Sequence, residues 1–183
     1  MPATEVRLPE QLAGVQGLVI PGGESTTIAQ LLNEYNLFSP LSQMIGGGFP
    51  VWGTCAGMIV LAKRATGLSH PTLAAIDISV ARNGWGRQVD SYETDVDVPA
   101  LGLPPFHAIF IRPPVITDIG AQVTRLAQLA DGTVVAAQEG YVLATSFHPE
   151  LTPDLRFHRY FAEIVATAAS KAAISEGIAL ITS

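Results

Sequence analysis

The stretch that decides the fold is residues 50–61, P-V-W-G-T-C-A-G-M-I-V-L. Its first five residues form a short apolar run that predicts a buried strand. Cys55 follows at a turn between two glycines, and a helix is predicted from Ala56 to about Arg64. A strand, a sharp turn and a helix in direct succession are typical of one unit of an α/β fold.

A second unit of the same kind precedes this stretch. Residues 17–20 (G-L-V-I) predict a buried strand, and residues 21–23 (P-G-G) predict a glycine turn. A helix should follow as far as Asn36, with Ser25 or Thr26 as its N-cap, because apolar residues recur there at helical spacing. Two such units imply a parallel sheet.

The rest of the chain adds antiparallel structure. Alternating apolar residues between residues 75 and 98, interrupted by the turn signal Asn83-Gly84, predict antiparallel strands. Further strands are predicted at residues 107–112, 123–129, 133–138 and 141–147, the last two as a hairpin. An amphipathic helix should begin at Thr152 and Pro153 and run through Val165.

Together these elements predict a three-layer α/β fold with a mostly parallel central sheet, helices on both faces and an antiparallel extension. A chain of 183 residues suits one domain. We expect that domain to comprise residues 1–166, followed by an alanine-rich C-terminal tail at 167–183.

The composition narrows the classes of function. Hydrophobic residues make up 48% of the chain and charged residues 14%, which favours a densely packed protein. A net charge of −6 without a basic block argues against a nucleic-acid partner. The apolar runs are far shorter than the roughly 20 residues of a membrane helix. No secretory signal pattern stands at the N-terminus and a lone cysteine cannot form an internal disulfide, so a reducing cytoplasm is expected.

Cys55 is the first candidate for chemistry. Its G-T-C-A-G setting between a strand and a helix matches the plan of a nucleophile elbow with sulfur in place of oxygen. The flanking glycines relieve crowding at the sharp turn, and the N–H groups at the start of the following helix would favour a thiolate. The alternative is a small buried core residue without reactivity.

His148 and Glu150 supply a base and an orienting acid. They stand in F-H-P-E at the end of a predicted strand, and Pro149 should keep His148 extended, so that both side chains point the same way. The carboxylate could then fix the imidazole tautomer beside Cys55, giving a Cys-His-Glu triad. A structural histidine is the alternative. A metal site is not expected, because no second histidine or cysteine stands at ligand spacing to either residue.

The loop of residues 21–25, P-G-G-E-S, is the third candidate element. Its glycine amides could turn towards the oxyanion of a tetrahedral intermediate, assisted by the Ala56 N–H. Glu24 could hold a substrate amino group. Alternatively, the glycines form an ordinary turn and Glu24 is an acid at a helix start.

Five motifs occur together in this order: P-G-G-E-S-T-T at 21–27, G-T-C-A-G-M at 53–58, R-N-G-W-G-R-Q at 82–88, F-I-R at 110–112 and S-F-H-P-E-L at 146–151. In this combination the chain, from about Arg7 to about Val165, resembles the glutaminase subunits of pyridoxal 5'-phosphate synthase, which are class I glutamine amidotransferases. The resemblance implies that Cys55, His148 and Glu150 form the triad and that Gly23 and Ala56 donate to the oxyanion. It also implies a glutamine pocket lined by Gly23, Glu24, Ser25, Arg82, Ile111 and Arg112.

The resemblance further implies a partner. Ammonia from L-glutamine would pass to a separate synthase subunit that makes the vitamin B6 cofactor, and this chain would bind no cofactor itself. Members of that family open with a strand and a helix carrying an L-A-L-Q-G-like motif, so the first strand and helix of the fold are expected to be missing here. An amidotransferase of another pathway, a different cysteine hydrolase, and a non-catalytic synthase-binding subunit remain as alternatives.

Overall fold

The computed structural model describes residues 2–82 and 91–181, with side chains described as far as residue 173. The helices are α1 (Ser25–Glu34), α2 (Phe38–Gly46), α3 (Ala56–Leu61) and α4 (Arg156–Ile181). The strands are β1 (Leu18–Ile20), β2 (Val51–Thr54), β3 (Ala62–Thr66), β4 (Ile76–Ala81), β5 (Ser91–Val96), β6 (Phe106–Ile111), β7 (Val115–Ile119), β8 (Thr124–Gln128), β9 (Val134–Glu139) and β10 (Val142–Thr145). Short 3-10 helices span Pro9–Gly14, Pro99–Leu101 and Pro149–Leu151. The predicted turn at Asn83-Gly84 lies outside the described residues.

The central sheet has the order β1-β2-β10-β9-β8. Strands β1, β2 and β10 are parallel, while β9 is antiparallel to both β10 and β8. Four of its five strands therefore point the same way, which confirms the mostly parallel sheet. The predicted hairpin is also confirmed, since β9 and β10 pair directly across Gly140, whose φ is 55°.

Two smaller sheets form the antiparallel extension. One has the order β3-β4-β7, and β5 pairs with β6 in the other. Strands do form within residues 75–98, but in the described part of the chain β4 pairs with β3 and β7, and β5 pairs with β6. The antiparallel strands predicted in this region are therefore confirmed, and their antiparallel partners in the described residues, β7 and β6, lie outside it. Strands β3 and β7 and helix α2 were not predicted.

Helix α3 ends earlier than predicted. Every residue of α3 is buried, whereas Lys63 and Arg64 are exposed and form ion pairs with Asp77 at 3.0 and 3.2 Å. Continuing the helix to Arg64 would carry charged side chains into an apolar environment, which costs free energy. The chain instead turns into β3 at Ala62, where both charges reach the surface.

Apolar side chains fill both faces of the central sheet. One cluster includes Leu41, Met58, Leu61 and Ile78, beneath α1, α2 and α3. The other is rich in aromatic residues and joins α4 and the β5-β6 pair to the sheet: Trp52, Phe106, Phe110, Phe147, Phe157 and Phe161. Helices thus cover both faces, as the predicted three-layer arrangement requires.

Strand β1 is the first strand in the described part of the chain. Residues 2–17 contain the 3-10 helix Pro9–Gly14 and no strand in their described part. Strand β1 lies at the sheet edge, with Val19 45% exposed. Two grooves of about 850 and 410 Å³ flank β1, and neither is lined by Cys55 or His148.

The last helix begins at Arg156 rather than at Thr152, and the Asp154 carboxylate accepts the Arg156 amide at 3.0 Å. Helix α4 then continues without a break past residue 167, so the proposed tail starts within it. The division into residues 1–166 and 167–183 stays a prediction. Within residues 2–82 and 91–181, no helix combines the length and apolar character needed to cross a membrane.

Candidate active site

Cys55 occupies a strained turn between β2 and α3. Its φ is 50°, in the left-handed region that residues with a Cβ rarely adopt, and its amide donates to the Thr145 carbonyl at 2.8 Å. A Cβ on Gly57 would lie 2.0 Å from the carbonyl oxygen of Ile20, and one on Gly53 would lie 2.5 Å from the Gly57 backbone. The two glycines are therefore required by close backbone approach, as the elbow predicts.

His148 lies shortly after β10, and its ring points towards Cys55. The His148 amide donates to the Ile109 carbonyl at 2.9 Å, which ties this segment to β6. The ring Nδ1 lies 2.8 Å from Glu150 Oε1, and the imidazole is close enough to the Cys55 side chain for that side chain to raise its pKa. The expectation of an extended segment was wrong in detail: Pro149–Leu151 is a 3-10 turn, and Glu150 reaches the ring from within it.

These contacts shift two pKa values. The hydrogen bond with Cys55, followed by the one with Glu150, raises the pKa of His148 from 6.5 to about 9, against the opposing effect of burial. For Glu150, burial disfavours the carboxylate, yet the hydrogen bond from His148 and smaller contributions, including the charge of His158, hold its pKa below its usual range. The site therefore favours a charged imidazolium held between Cys55 and Glu150.

The loop after β1 approaches the same ring. A Cβ on Gly22 would lie 2.4 Å from His148 Cε1, whereas a Cβ on Gly23, whose φ is 150°, would meet only the Ile28 side chain, at 3.8 Å. Gly22 was not among the predicted site residues. Its neighbours in sequence are another glycine and a proline, and the contact with His148 is evident only in three dimensions.

Glu24 acts as the N-cap of α1. Its Oε2 accepts the Thr27 amide at 2.8 Å, so the expectation that Ser25 or Thr26 caps the helix was wrong. Because α1 begins at Ser25, the carboxylate of the preceding residue is the side chain that reaches the free amide. That bond from Thr27 is the main cause that lowers the pKa of Glu24.

The other carboxylate oxygen of Glu24, Oε1, pairs with Arg82 Nη2 at 2.7 Å, and Arg82 Nη1 donates to the Gly67 carbonyl. Glu24 and Arg82 therefore form an ion pair, and their assignment to a glutamine pocket stays a prediction. Ser25 is buried at the start of α1.

The end of β6 lies beside Cys55. The Cys55 Sγ is 3.7 Å from the carbonyl oxygen of Ile111, and the Ile111 side chain is 37% exposed. Arg112 follows with a φ of 42°, a second strained backbone position at the site. The Ile111 carbonyl thus contacts Cys55, and Arg112 is the next residue along the chain.

The surroundings of His107 and His158 differ from those of His148. His107 is half-exposed on β6 and contacts Asp95 at 2.9 Å and Glu93 at 3.0 Å, a surface cluster away from Cys55. His158 lies edge-on to Trp52, with ring centroids 5.3 Å apart. Among the residues that the structure describes, no group of three or more histidine, cysteine, aspartate or glutamate side chains is arranged to hold a metal ion.

Comparison with known proteins gives similar proteins that are named as subunits of pyridoxal 5'-phosphate synthase. The pyridoxal 5'-phosphate synthase subunit PdxT of Herpetosiphon aurantiacus is 56% identical over 160 residues, covering 86% of this chain and 84% of the relative. The protein of the same name from Pelotomaculum thermopropionicum is 55% identical over 161 residues, covering 88% of this chain and 82% of the relative.

Solved structures agree with this comparison. A crystal structure of a glutamine amidotransferase superimposes with a TM-score of 0.85 at 46% identity, covering 91% of this chain and 87% of that chain. A putative GMP synthase protein from Thermoplasma acidophilum shares the fold, with a TM-score of 0.59 at 21% identity over 92% of this chain and 80% of that chain. The model of the SNO glutamine amidotransferase family matches residues 1–167. A match over that length, with a cysteine elbow beside a histidine and a glutamate, shows that the chain belongs to the SNO glutamine amidotransferase family.

Proposed function

We propose that this chain is the glutaminase subunit of a pyridoxal 5'-phosphate synthase. It hydrolyses L-glutamine to L-glutamate and ammonia, and the ammonia passes to the synthase subunit for vitamin B6 biosynthesis. The observation that carries the proposal is the placement of His148 between the Cys55 side chain and the Glu150 carboxylate at the elbow of a glutamine amidotransferase. The relatives at 55–56% identity are named as subunits of that synthase.

The reaction proceeds through a thioester. The Cys55 thiolate attacks the side-chain carbonyl carbon of glutamine, and the carbon–nitrogen bond breaks as His148 transfers its proton to the departing nitrogen. Ammonia leaves, and a glutamyl thioester remains on Cys55. Water then attacks the thioester while His148 takes its proton, so that glutamate is released and the thiolate–imidazolium pair is restored. Glu150 holds the imidazole in orientation throughout.

The oxyanion of each tetrahedral intermediate would be stabilised by the amides of Ala56 and Gly23. Ala56 is the first residue of α3, so its N–H has no carbonyl acceptor within that helix. Gly23, with its unusual φ, lies in the loop beside His148. Removing one oxyanion donor typically costs about a hundredfold or more in rate.

The substrate's amino and carboxylate groups would be bound by the rim of the site. Glu24 supplies a carboxylate for the amino group, and Arg82 and Arg112 supply guanidinium groups for the carboxylate, beside Ser25 and Ile111. Glu24 and Arg82 already form an ion pair with each other. Glutamine binding would exchange that pair for one ion pair with each end of the substrate.

The partner is the synthase subunit that receives ammonia. In this proposal the chain binds neither the sugar phosphates nor the vitamin itself, and it works in the cytoplasm, where a nucleophilic thiol stays reduced. Pyridoxal phosphate and metal ions have no role in the glutaminase half-reaction.

The proposal is tested by measuring glutamate and ammonia with the purified chain, with and without the synthase subunit. We expect release that depends on the synthase subunit and that is lost in Cys55→Ser. The matched control is Gly46→Ala, because a Cβ at this exposed position meets no atom within 4 Å. Full activity of Cys55→Ser would refute the mechanism. Equal release without the synthase subunit would indicate a self-sufficient hydrolase, and no release with it would indicate a subunit that only binds.

A further inference from the structure

Gly22 lies directly beside the ring of His148, so that a side chain at position 22 would collide with the ring. A Cβ built on Gly22 would be 2.4 Å from His148 Cε1, 3.1 Å from Nδ1 and 3.4 Å from the Cβ of Cys55. Real Cβ atoms essentially never come within 2.4 Å of a non-bonded heavy atom. The Cε1 atom in question belongs to an imidazole ring that interacts with Cys55 and with Glu150. The Cα of Gly22 therefore forms part of the wall against which the imidazole rests.

The backbone at Gly22 does not itself demand glycine. Its φ lies outside the left-handed region, unlike the φ of 150° at Gly23. A positive φ is therefore not what excludes a side chain at position 22. The obstacle to a side chain at position 22 is thus the imidazole, with Cys55 just behind it.

The ring cannot give way freely. Its Nδ1 is bound to Glu150 at 2.8 Å, its other contact is Cys55, and the His148 side chain is only 13% exposed. To restore ordinary contact at 3.4 Å, the ring or the loop would have to move by about 1.0 Å, the difference between 3.4 and 2.4 Å. A shift of that size lengthens the hydrogen bond to Glu150 or moves the ring away from Cys55.

We propose that Gly22 is a positioning residue, whose missing side chain lets the imidazole of His148 reach Cys55 and Glu150 together. The inference rests on the proposed function, since it assigns Gly22 a role in aligning the same catalytic pair. Gly22 acts through His148 and does not touch the substrate. Alanine at position 22 would therefore change the catalytic step and leave glutamine binding largely intact.

The first experiment measures kcat and KM of Gly22→Ala with the synthase subunit present, beside Gly46→Ala as the control. A displacement of about 1 Å can cost about a hundredfold in rate, so we expect kcat to fall on that order with KM changed less than threefold or so. The His148 titration, followed by NMR of the ring protons, should also move from a midpoint near 9 towards 6.5. A kcat and a titration midpoint equal to those of the unaltered chain would overturn the inference.

The second experiment is a double-mutant cycle on stability, which stays informative if Gly22→Ala folds poorly. Gly22→Ala should lower the midpoint of urea unfolding in the chain with His148, but not in the His148→Ala background, where the added methyl group fills the space left by the ring. Equal destabilisation in both backgrounds would show that Gly22 matters for another reason. Cys55→Ser separates the two claims. If it is inactive while Gly22→Ala is fully active, only the role of Gly22 fails, whereas an active Cys55→Ser refutes the proposed function itself.

Discussion

The protonation of His148 is the property of the site that can be predicted in most detail. An ordinary imidazole with a pKa of 6.5 is about 3% protonated at pH 8, whereas one with a pKa of about 9 is about 90% protonated. The hydrogen bonds within the triad thus increase the fraction of imidazolium about thirtyfold at that pH. Because His148 is proposed to protonate the departing ammonia, we expect glutaminase activity to persist at pH 8 and to decline as the pH rises through about 9.

Two substitutions remove the interacting partners of His148 one at a time. The hydrogen bond with Cys55 is the largest cause of the raised pKa and the bond with Glu150 is the second. Both Cys55→Ala and Glu150→Gln should lower the pKa of His148 towards 6.5, and Cys55→Ala should lower it further. The sign follows from the charges, since each lost partner had favoured the charged form of the ring.

The assay is an NMR titration of the histidine ring protons between pH 5 and 10.5 or so, with His148→Asn used to assign the resonance. Glu150→Gln should also move the alkaline limb of the pH profile of kcat to lower pH. A His148 midpoint near 6.5 in the unaltered chain would refute the reasoning. So would a midpoint that neither substitution changes.

Three further predictions concern the elbow, the pocket and the core. Gly57→Ala places a Cβ 2.0 Å from the Ile20 carbonyl oxygen, so α3 must move by about 1.4 Å for that distance to reach 3.4 Å. We therefore expect glutaminase activity to fall by about a hundredfold and the midpoint of urea unfolding to drop. An unchanged rate would contradict the close packing of the elbow. Glu24→Ala removes the cap of α1 and one ligand of the pocket, so stability should fall by about 1 kcal/mol and the KM for glutamine should rise, as measured by urea unfolding and steady-state kinetics. Phe106→Ala removes a fully buried ring that packs on Phe147 and Phe157, and a loss of about 3–5 kcal/mol is expected in urea unfolding; a loss below 1 kcal/mol or so would show that this cluster contributes little.

The elbow and the strand ends could be predicted because their signals are local. Cys55 is flanked by glycines and an apolar run, and those features alone required a tight turn between strand and helix. His148 and Glu150 are two residues apart, so their contact needed only a short segment that brings both side chains together. The parallel strands β1, β2 and β10 followed for a similar reason, since each is part of a short apolar run.

Other features depend on contacts between distant residues. The pairing of β4 with β3 and β7 is set by how the sheets pack. The alternation of apolar residues does not indicate which strands pair. The early end of α3 follows from Asp77, which pairs with Lys63 and Arg64 across the sheet. Gly22 was missed because the atom that excludes its side chain belongs to His148, far along the chain.

The most direct test of the central claim is covalent labelling of the nucleophile. The chain, with the synthase subunit, is incubated with an electrophilic glutamine analogue, and the digested protein is examined by mass spectrometry. We predict a single adduct on Cys55, prevented by excess L-glutamine and much slower to form in His148→Ala. Absence of an adduct on Cys55, or labelling that excess L-glutamine does not reduce, would contradict the assignment of Cys55 as the residue that attacks glutamine.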